Sequence, residues 1–358
     1  MKNNLNLKAL TSWFQNEKRD LPWRENPGPY AVWVSEVMLQ QTRVSVVIPY
    51  FLRWMQKFPT LHDLAKASQD EVIKEWEGLG YYSRARNLHE GAQYVVEHFN
   101  GTLPNDPALL KQIKGLGPYT IGAILSFAFR EKAAAVDGNV IRVLTRLFGI
   151  EEDIAKPKTI RSIWEKAEEI LPDRESWIVS EALIELGATI CTRPAKCHLC
   201  PLQNSCVAYE TDRVDQLPHK STKVKIQPLY RAVAVIQSED RFLVMRGKKG
   251  KIMSDLHEFP YFNLEQENHD PNILLELINK NWNLEAKMMQ KLPKVTHSFT
   301  RYKAHLFPVQ FTCEKRNTIP DMNWHKIEEL DLLAFSSGHR QIYQQMRQHQ
   351  WQKQSIKN

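Results

Sequence analysis

The 358-residue chain is predicted to be an α+β protein, a helical half followed by a mixed α/β half. Three observations carry this expectation. Up to about Leu217, apolar residues recur at three- and four-residue spacing, the period of a helix with one buried face, and strand-like alternation is scarce. From Gln216 to Pro228 the chain turns polar and basic and loses that period, as an extended linker does. Beyond it, β-rich runs alternate with helical ones.

The helical reading rests on sets such as Val34, Val37 and Met38, then Leu61 and Leu64, then Val140, Val143, Leu144 and Leu147. Breaks at Phe58-Pro59-Thr60, Asn100-Gly101-Thr102-Leu103-Pro104 and Leu171-Pro172-Asp173 divide the region into helices of ordinary length. Within residues 109–128, Leu109, Leu110 and Ile113 end one helix, Gly115 and Gly117 turn the chain, and Ile121, Ile124, Leu125 and Phe127 begin the next. Such a helix-hairpin-helix turns backbone N–H groups and a positive helix end toward a phosphate, a contact that positions DNA without reading its sequence. A plain glycine turn between two core helices is the other reading of the same residues.

Cys191, Cys197, Cys200 and Cys206 are separated by five, two and five residues. That spacing lets four thiolates converge on one iron-sulfur cubane, with zinc as the alternative. Disulfides are disfavoured, because Met1 to Trp13 carries Lys2 and Lys8 and lacks the apolar core of a secretory signal; a reducing, cytoplasmic compartment is expected. Cys313 stands apart and reads as a core residue.

At 42% hydrophobic and 25% charged, the chain is long enough for two cores. Ile121 to Phe129 is among its longest apolar runs and is too short to cross a bilayer, so a soluble protein without a membrane partner is expected, and separately a monomer. A net charge of +7 suits a polyanionic partner. In the second half, Arg231–Ile236 and Arg241–Arg246 predict a hairpin about Ser238-Glu239-Asp240. Helices are expected at Asn272–Trp282 and Trp324–Leu333, and further strands between Val295 and Phe311.

The hairpin, Val136-Asp137-Gly138-Asn139-Val140 and the four-cysteine loop resemble the endonuclease III superfamily of base-excision DNA glycosylases. Leu21-Pro22-Trp23-Arg24, the run Ser35 to Thr42, Trp76 to Arg84 and Glu181 to Gly187 are similar to the adenine DNA glycosylases of the MutY type. The resemblance implies a helical glycosylase domain at 1–217 with its iron-sulfur loop at 191–206, a linker at 218–228, and a Nudix-like 8-oxoguanine recognition domain at 229–358. It further implies a 4Fe-4S cluster, and a double-stranded DNA partner containing A:8-oxoguanine or A:G mispairs, from which adenine is flipped out and excised.

Glu36 sits mid-helix among apolar neighbours, which should raise its pKa until it can protonate adenine N7; an exposed helix glutamate is the plain alternative. Asp137 reads as a helix N-cap, and by resemblance as a second catalytic acid that stabilises an oxocarbenium-like transition state. Strand-cleaving relatives carry a lysine where Tyr119 stands; tyrosine cannot form a Schiff base, so a monofunctional enzyme is expected, with Tyr119 supporting the reaction beside Asn139. Resemblance nominates Arg19, Leu21, Trp23, Arg24 and Glu181 for the adenine pocket and Gln41 and Tyr81 for the duplex gap. Gly115, Gly117, Arg193 and Lys196 are expected at backbone phosphates.

Departures from the family are visible in both halves. The Cys191 to Cys197 spacing is one residue shorter than usual, which shortens the loop bearing Arg193 and Lys196. In the second half, Phe299-Thr300-Arg301 stands where relatives have Phe-Ser-His, and His257 where they have tryptophan; Thr300 keeps a hydroxyl and Arg301 brings a permanent cation. No magnesium-binding Nudix helix is legible, so this domain is expected to read rather than hydrolyse. Rival readings are a pyrimidine glycosylase with lyase activity and a non-catalytic iron-sulfur DNA-binding regulator.

Overall fold

The computed structural model describes residues 5–25, 27–221, 225–248, 250, 252–267 and 270–355. The chain divides into two compact units, one of Met1–Lys66 with Asn87–Lys223 and one of Ala67–Arg86 with Val224–Asn358. Residues 222–224 of the expected linker lie outside the described residues. No described helix is long and apolar enough to cross a membrane.

The first unit is helical, with no strand among its described residues. Helix Gly138–Phe148 buries Val140, Val143, Leu144 and Leu147, as their spacing dictates, against helices Ser176–Thr189 and Leu7–Glu17. Each such side chain contributes about 1.5–3 kcal/mol when fully buried. Helix Pro29–Leu39 differs, since it is buried on every side from Val32 to Met38 and so carries Glu36 into the interior.

In the hairpin, Asp106 caps Pro107–Leu110 by accepting from the amides of Ala108 and Leu109 at 2.7 and 3.0 Å. Gly115 has φ +88°, and a Cβ there would lie 2.7 Å from the Asn87 Cβ, so only glycine fits. Gly117 departs from the expectation that both glycines make the turn: its φ is −88° and the space around it is open. The closest approach belongs to Gly122, in the helix Pro118–Ala123, where a Cβ would stand 1.9 Å from the Ala134 carbonyl. That contact seats the Tyr119 helix against the strand-less segment leading to Asp137.

The second unit is built on an eight-stranded sheet: β1 Gln227–Ser238, β2 Arg241–Arg246, β3 His257–Glu258, β4 Tyr261–Leu264, β5 Lys287–Lys291, β6 Val295–Phe299, β7 Tyr302–Thr312 and β8 Met322–Lys326. Its central path runs β3-β2-β1-β7-β5, with β1 and β7 parallel from Gln227↔Tyr302 to Gln237↔Thr312. Alternate β1 side chains enter two cores. Val233 and Val235 meet Ile342 and Met346 of helix Ser337–Ser355, while Ala232, Ala234 and Ile236 meet Leu274 and Ile278 of helix Pro271–Trp282. Burial on both faces explains the unbroken apolar run 232–236.

The expected β1–β2 hairpin forms with Ser238↔Arg241 paired, which leaves Glu239 and Asp240 as the loop. The helix expected at Trp324–Leu333 is corrected: Trp324 pairs with Leu243 in β8, and only Ile327–Leu332 is helical. Trp324, Ile327 and Leu330 mimic a helical period, but the edge of β2 captures the first of them. The Ala67–Arg86 segment opens with helix Gln69–Glu75, held by a capping box between Ser68 and Glu71.

Candidate active site

A cavity of about 690 Å³ in the helical unit is lined by Glu36, Tyr119, Asp137 and Asn139, and also by Arg19, Leu21, Trp23, Arg24, Gln41 and Glu181. Every residue nominated for catalysis or for the adenine pocket therefore faces one space. Three elements supply the chemistry: the buried helix Pro29–Leu39 carries Glu36, the second hairpin helix carries Tyr119, and helix Gly138–Phe148 carries Asn139 and is preceded by its N-cap, Asp137.

Burial pushes the Glu36 carboxyl up to about 7; the Tyr119 hydrogen bond pulls the other way, and the nearby Asp137 and Glu181 charges push it further up. The Tyr119 hydroxyl donates to Glu36 Oε2, and its own pKa is driven well above the ordinary value by burial and by the Glu36 charge. Asp137 is at once an N-cap and a cavity residue. Its Oδ1 accepts from the Asn139 and Val140 amides at 2.9 and 2.8 Å, and its Oδ2 accepts from Asn139 Nδ2 at 2.7 Å. Burial raises its pKa, against those bonds and the Arg142 charge.

Trp23 lines the cavity with little of its indole exposed, because Phe51 packs edge-on at 5.4 Å. Glu181 accepts from Arg24 Nε at 3.1 Å, and burial raises its pKa against the Arg24, Arg130 and Lys18 charges. Glu185, given no role of its own within the Glu181 to Gly187 motif, is fully buried and holds Arg19 Nε at 2.6 Å and Arg24 Nη2 at 2.9 Å. Burial alone would raise its carboxyl, but the two guanidiniums hold it below the ordinary value. Glu181 and Glu185 stand four residues apart on one helix face, which was the available signal. Arg142 is a second omission: it donates to Asn139 Oδ1 at 2.9 Å, to the Gly187 carbonyl at 2.6 Å and to the Cys191 carbonyl at 2.7 Å.

The four cysteines of the 191–206 loop are half-buried, and Cys191, Cys200 and Cys206 pack against the helical core. Burial pushes Cys200 up to about 12, and the Cys191 charge raises Cys197, Cys200 and Cys206 as well, so all four lie within electrostatic reach. Among the described residues no group of three or more Cys, His, Asp or Glu side chains is close enough to hold a single metal ion. The donor set is nonetheless all sulfur, and the buried Arg146 donates to Cys191 Sγ at 3.3 Å, where it would stabilise thiolate charge. That chemistry fits an iron-sulfur cluster better than a hard cation.

Arg193 and Lys196 are exposed, and Arg193 also donates to the Pro218 carbonyl at 3.2 Å. Gln41 and Tyr81 are exposed residues at positive φ, +58° and +48°. Phe299 ends β6, Thr300 turns at φ +48°, and Arg301 extends its guanidinium to the Tyr302 hydroxyl at 3.1 Å.

Residues 34–169 match the HhH-GPD superfamily base excision DNA repair protein family, and residues 231–345 match the NUDIX domain. Over 95% of its length the chain is 35% identical to the adenine DNA glycosylase of Rattus norvegicus, covering 77% of that protein. Against the adenine DNA glycosylase of Buchnera aphidicola subsp. Baizongia pistaciae, identity is 31% over 89% of this chain and 90% of the relative. Among solved structures, a thermostable thymine-DNA glycosylase superposes with a TM-score of 0.52 at 28% identity, over 57% of this chain and 95% of the other.

Proposed function

This chain belongs to the adenine DNA glycosylase family, and we propose that it acts as a monofunctional enzyme on adenine mispaired with 8-oxoguanine or guanine. The observation that carries the reading is that Glu36 and Asp137 line one cavity, in which burial pushes the Glu36 carboxyl up to about 7. Flipping the adenine costs a few kcal/mol, least where pairing is already defective, so the mispair itself favours the target.

Inside the cavity, protonated Glu36 gives its proton to N7, and the C1′–N9 bond breaks with its electron pair leaving on a neutral adenine. General acid help of this kind is worth about 100-fold to 10,000-fold. The Asp137 carboxylate, held by two amides and the Asn139 side chain, offsets the positive charge that grows on the sugar. Water then adds at C1′ and gives its proton to the Glu36 carboxylate, which restores the acid. Tyr119 donates to Glu36 and has no amine, so no Schiff base forms and the strand stays whole.

Cys191, Cys197, Cys200 and Cys206 would hold a 4Fe-4S cluster, which when bound would brace the loop that presents Arg193 and Lys196 to backbone phosphates. The Phe299-Thr300-Arg301 turn would address the oxidised base with a hydroxyl and a guanidinium.

The test uses an A:8-oxoguanine duplex. Wild type should release adenine and leave a strand that breaks only in alkali, without borohydride trapping of the protein; Glu36→Gln should bind the duplex and release adenine at least about 100-fold more slowly. Strand breakage without alkali, together with a trapped adduct, would overturn the monofunctional reading.

A further inference from the structure

Residues 67–86 lie between two stretches of the helical unit in sequence, yet they form one compact unit with residues 224–358. Their ties to that unit are charged and hydrogen-bonded. Glu77 Oε1 accepts from Arg340 Nε at 2.6 Å and from the Phe335 amide at 3.0 Å, while Oε2 accepts from Arg340 Nη2 at 3.1 Å and Lys74 Nζ at 2.7 Å. Arg340 and Glu77 side chains are only 17% and 14% exposed, so the pair escapes the screening that makes surface ion pairs weak. Arg340 also donates to the Leu333 carbonyl at 2.5 Å and lies over the Phe335 and Tyr343 rings at 4.9 and 5.2 Å. Flanking pairs, Arg246 with Asp70 at 2.5 Å and Arg86 with Asp255 at 3.3 Å, frame the segment on both sides of Glu77.

Just after Glu77 the chain makes a turn of unusual conformation, with Gly78 at φ +103°, Gly80 at +72° and Tyr81 at +48°. A left-handed tyrosine is costly by about 1–3 kcal/mol and persists only where its surroundings over-determine it. Inside the turn, Arg84 does part of this: it donates to the carbonyls of Leu79 and Gly80 at 3.2 and 3.1 Å and sits 5.8 Å from the Tyr81 ring centre. The outcome is a tyrosine left 45% exposed, held out on a fixed turn.

We propose that Glu77 and Arg340 anchor this turn, which makes Arg340, on the C-terminal helix, a positioning residue for base extrusion that acts through Tyr81. The proposal rests on the reading of Tyr81 as the residue that enters the duplex gap. It assigns the C-terminal unit a second task besides addressing the oxidised base, namely setting the aromatic that opens the helix.

The experiment is a double-mutant cycle on the full chain with Tyr81→Ala, Arg340→Ala and their combination. Extrusion is followed by 2-aminopurine fluorescence beside an A:8-oxoguanine pair, and adenine release by single-turnover assay at saturating protein. Arg347→Ala, on the same helix as Arg340, breaks an ion pair with Asp331 of helix Ile327–Leu332; it is the control and should behave as wild type. Arg340→Ala is expected to slow extrusion roughly tenfold and to add nothing once Tyr81 is gone. Additive effects, or normal extrusion in Arg340→Ala, would overturn the anchor. Should Arg340→Ala fail to fold, the near-isosteric Glu77→Gln replaces it with the same two outcomes. Failure of the wild type to release adenine would instead strike the proposed function, and leaves the fluorescence cycle to be read on its own.

Discussion

Glu36→Gln should stabilise the protein in neutral and alkaline solution while destroying its activity. Burial pushes the carboxyl from an ordinary 4.5 up to about 7, so below pH 4.5 it is protonated in both folded and unfolded chains and contributes no difference. Between 4.5 and 7 the unfolded chain has lost the proton that the folded chain keeps, and wild-type stability therefore falls as the pH rises. Above about 7 both are ionised and the buried charge exacts its full cost, about 3 kcal/mol. Glutamine carries no charge and pays none of it. In urea unfolding at a series of pH values, the variant should match wild type near pH 4, gain through the 4.5–7 window and hold a constant advantage of about 3 kcal/mol above it. Its adenine release should be lower by about 100-fold to 10,000-fold below pH 7, with the gap narrowing above that as the wild-type acid loses its proton. A stability difference that does not change with pH, or a variant less stable than wild type at pH 8, would refute the desolvation argument.

Tyr119→Phe removes the hydrogen bond that lowers the Glu36 pKa, so the alkaline limb of the single-turnover rate profile should move to higher pH; an unmoved limb would show that this bond does not tune the acid. Gly187→Ala would place a Cβ 2.6 Å from the Asn139 Cβ and 2.9 Å from its carbonyl oxygen, displacing the residue that holds Asp137. Displacement of order 1 Å should cost roughly 100-fold in adenine release, with duplex affinity by gel shift nearly unchanged. Arg24→Leu strips one guanidinium from the fully buried Glu185 and should cost roughly 3 kcal/mol of stability by thermal unfolding, since the remaining charge is then poorly compensated.

What the sequence made legible was local. The helix face Val140, Val143, Leu144 and Leu147, the β1–β2 hairpin and the helix near Asn272–Trp282 each rest on contacts between close neighbours in the chain, which periodicity and turn chemistry record. The shared cavity of Glu36 and Asp137 was legible only through family likeness, because nothing in either local pattern says that two helices a hundred residues apart converge. Glu185 and Arg142 escaped notice for a related reason. Each looks like an ordinary polar residue on an amphipathic helix until its partners, Arg19 and Arg24 or Asn139 and Cys191, are brought in from elsewhere. Membership of residues 67–86 in the C-terminal unit is the extreme case, where one of the ties joins a carboxylate and a guanidinium 263 positions apart. Trp324 failed differently: its spacing to Ile327 and Leu330 satisfies a helix, but pairing with Leu243 in a waiting sheet outweighs local preference.

The most direct test of proton donation by Glu36 compares duplexes that carry adenine or 7-deazaadenine opposite 8-oxoguanine, at one pH and one salt concentration. The deaza base has the same shape and pairing edge but no N7 to receive a proton. Normal binding with release of the deaza base reduced to background is expected; release at the adenine rate would contradict acid catalysis at N7.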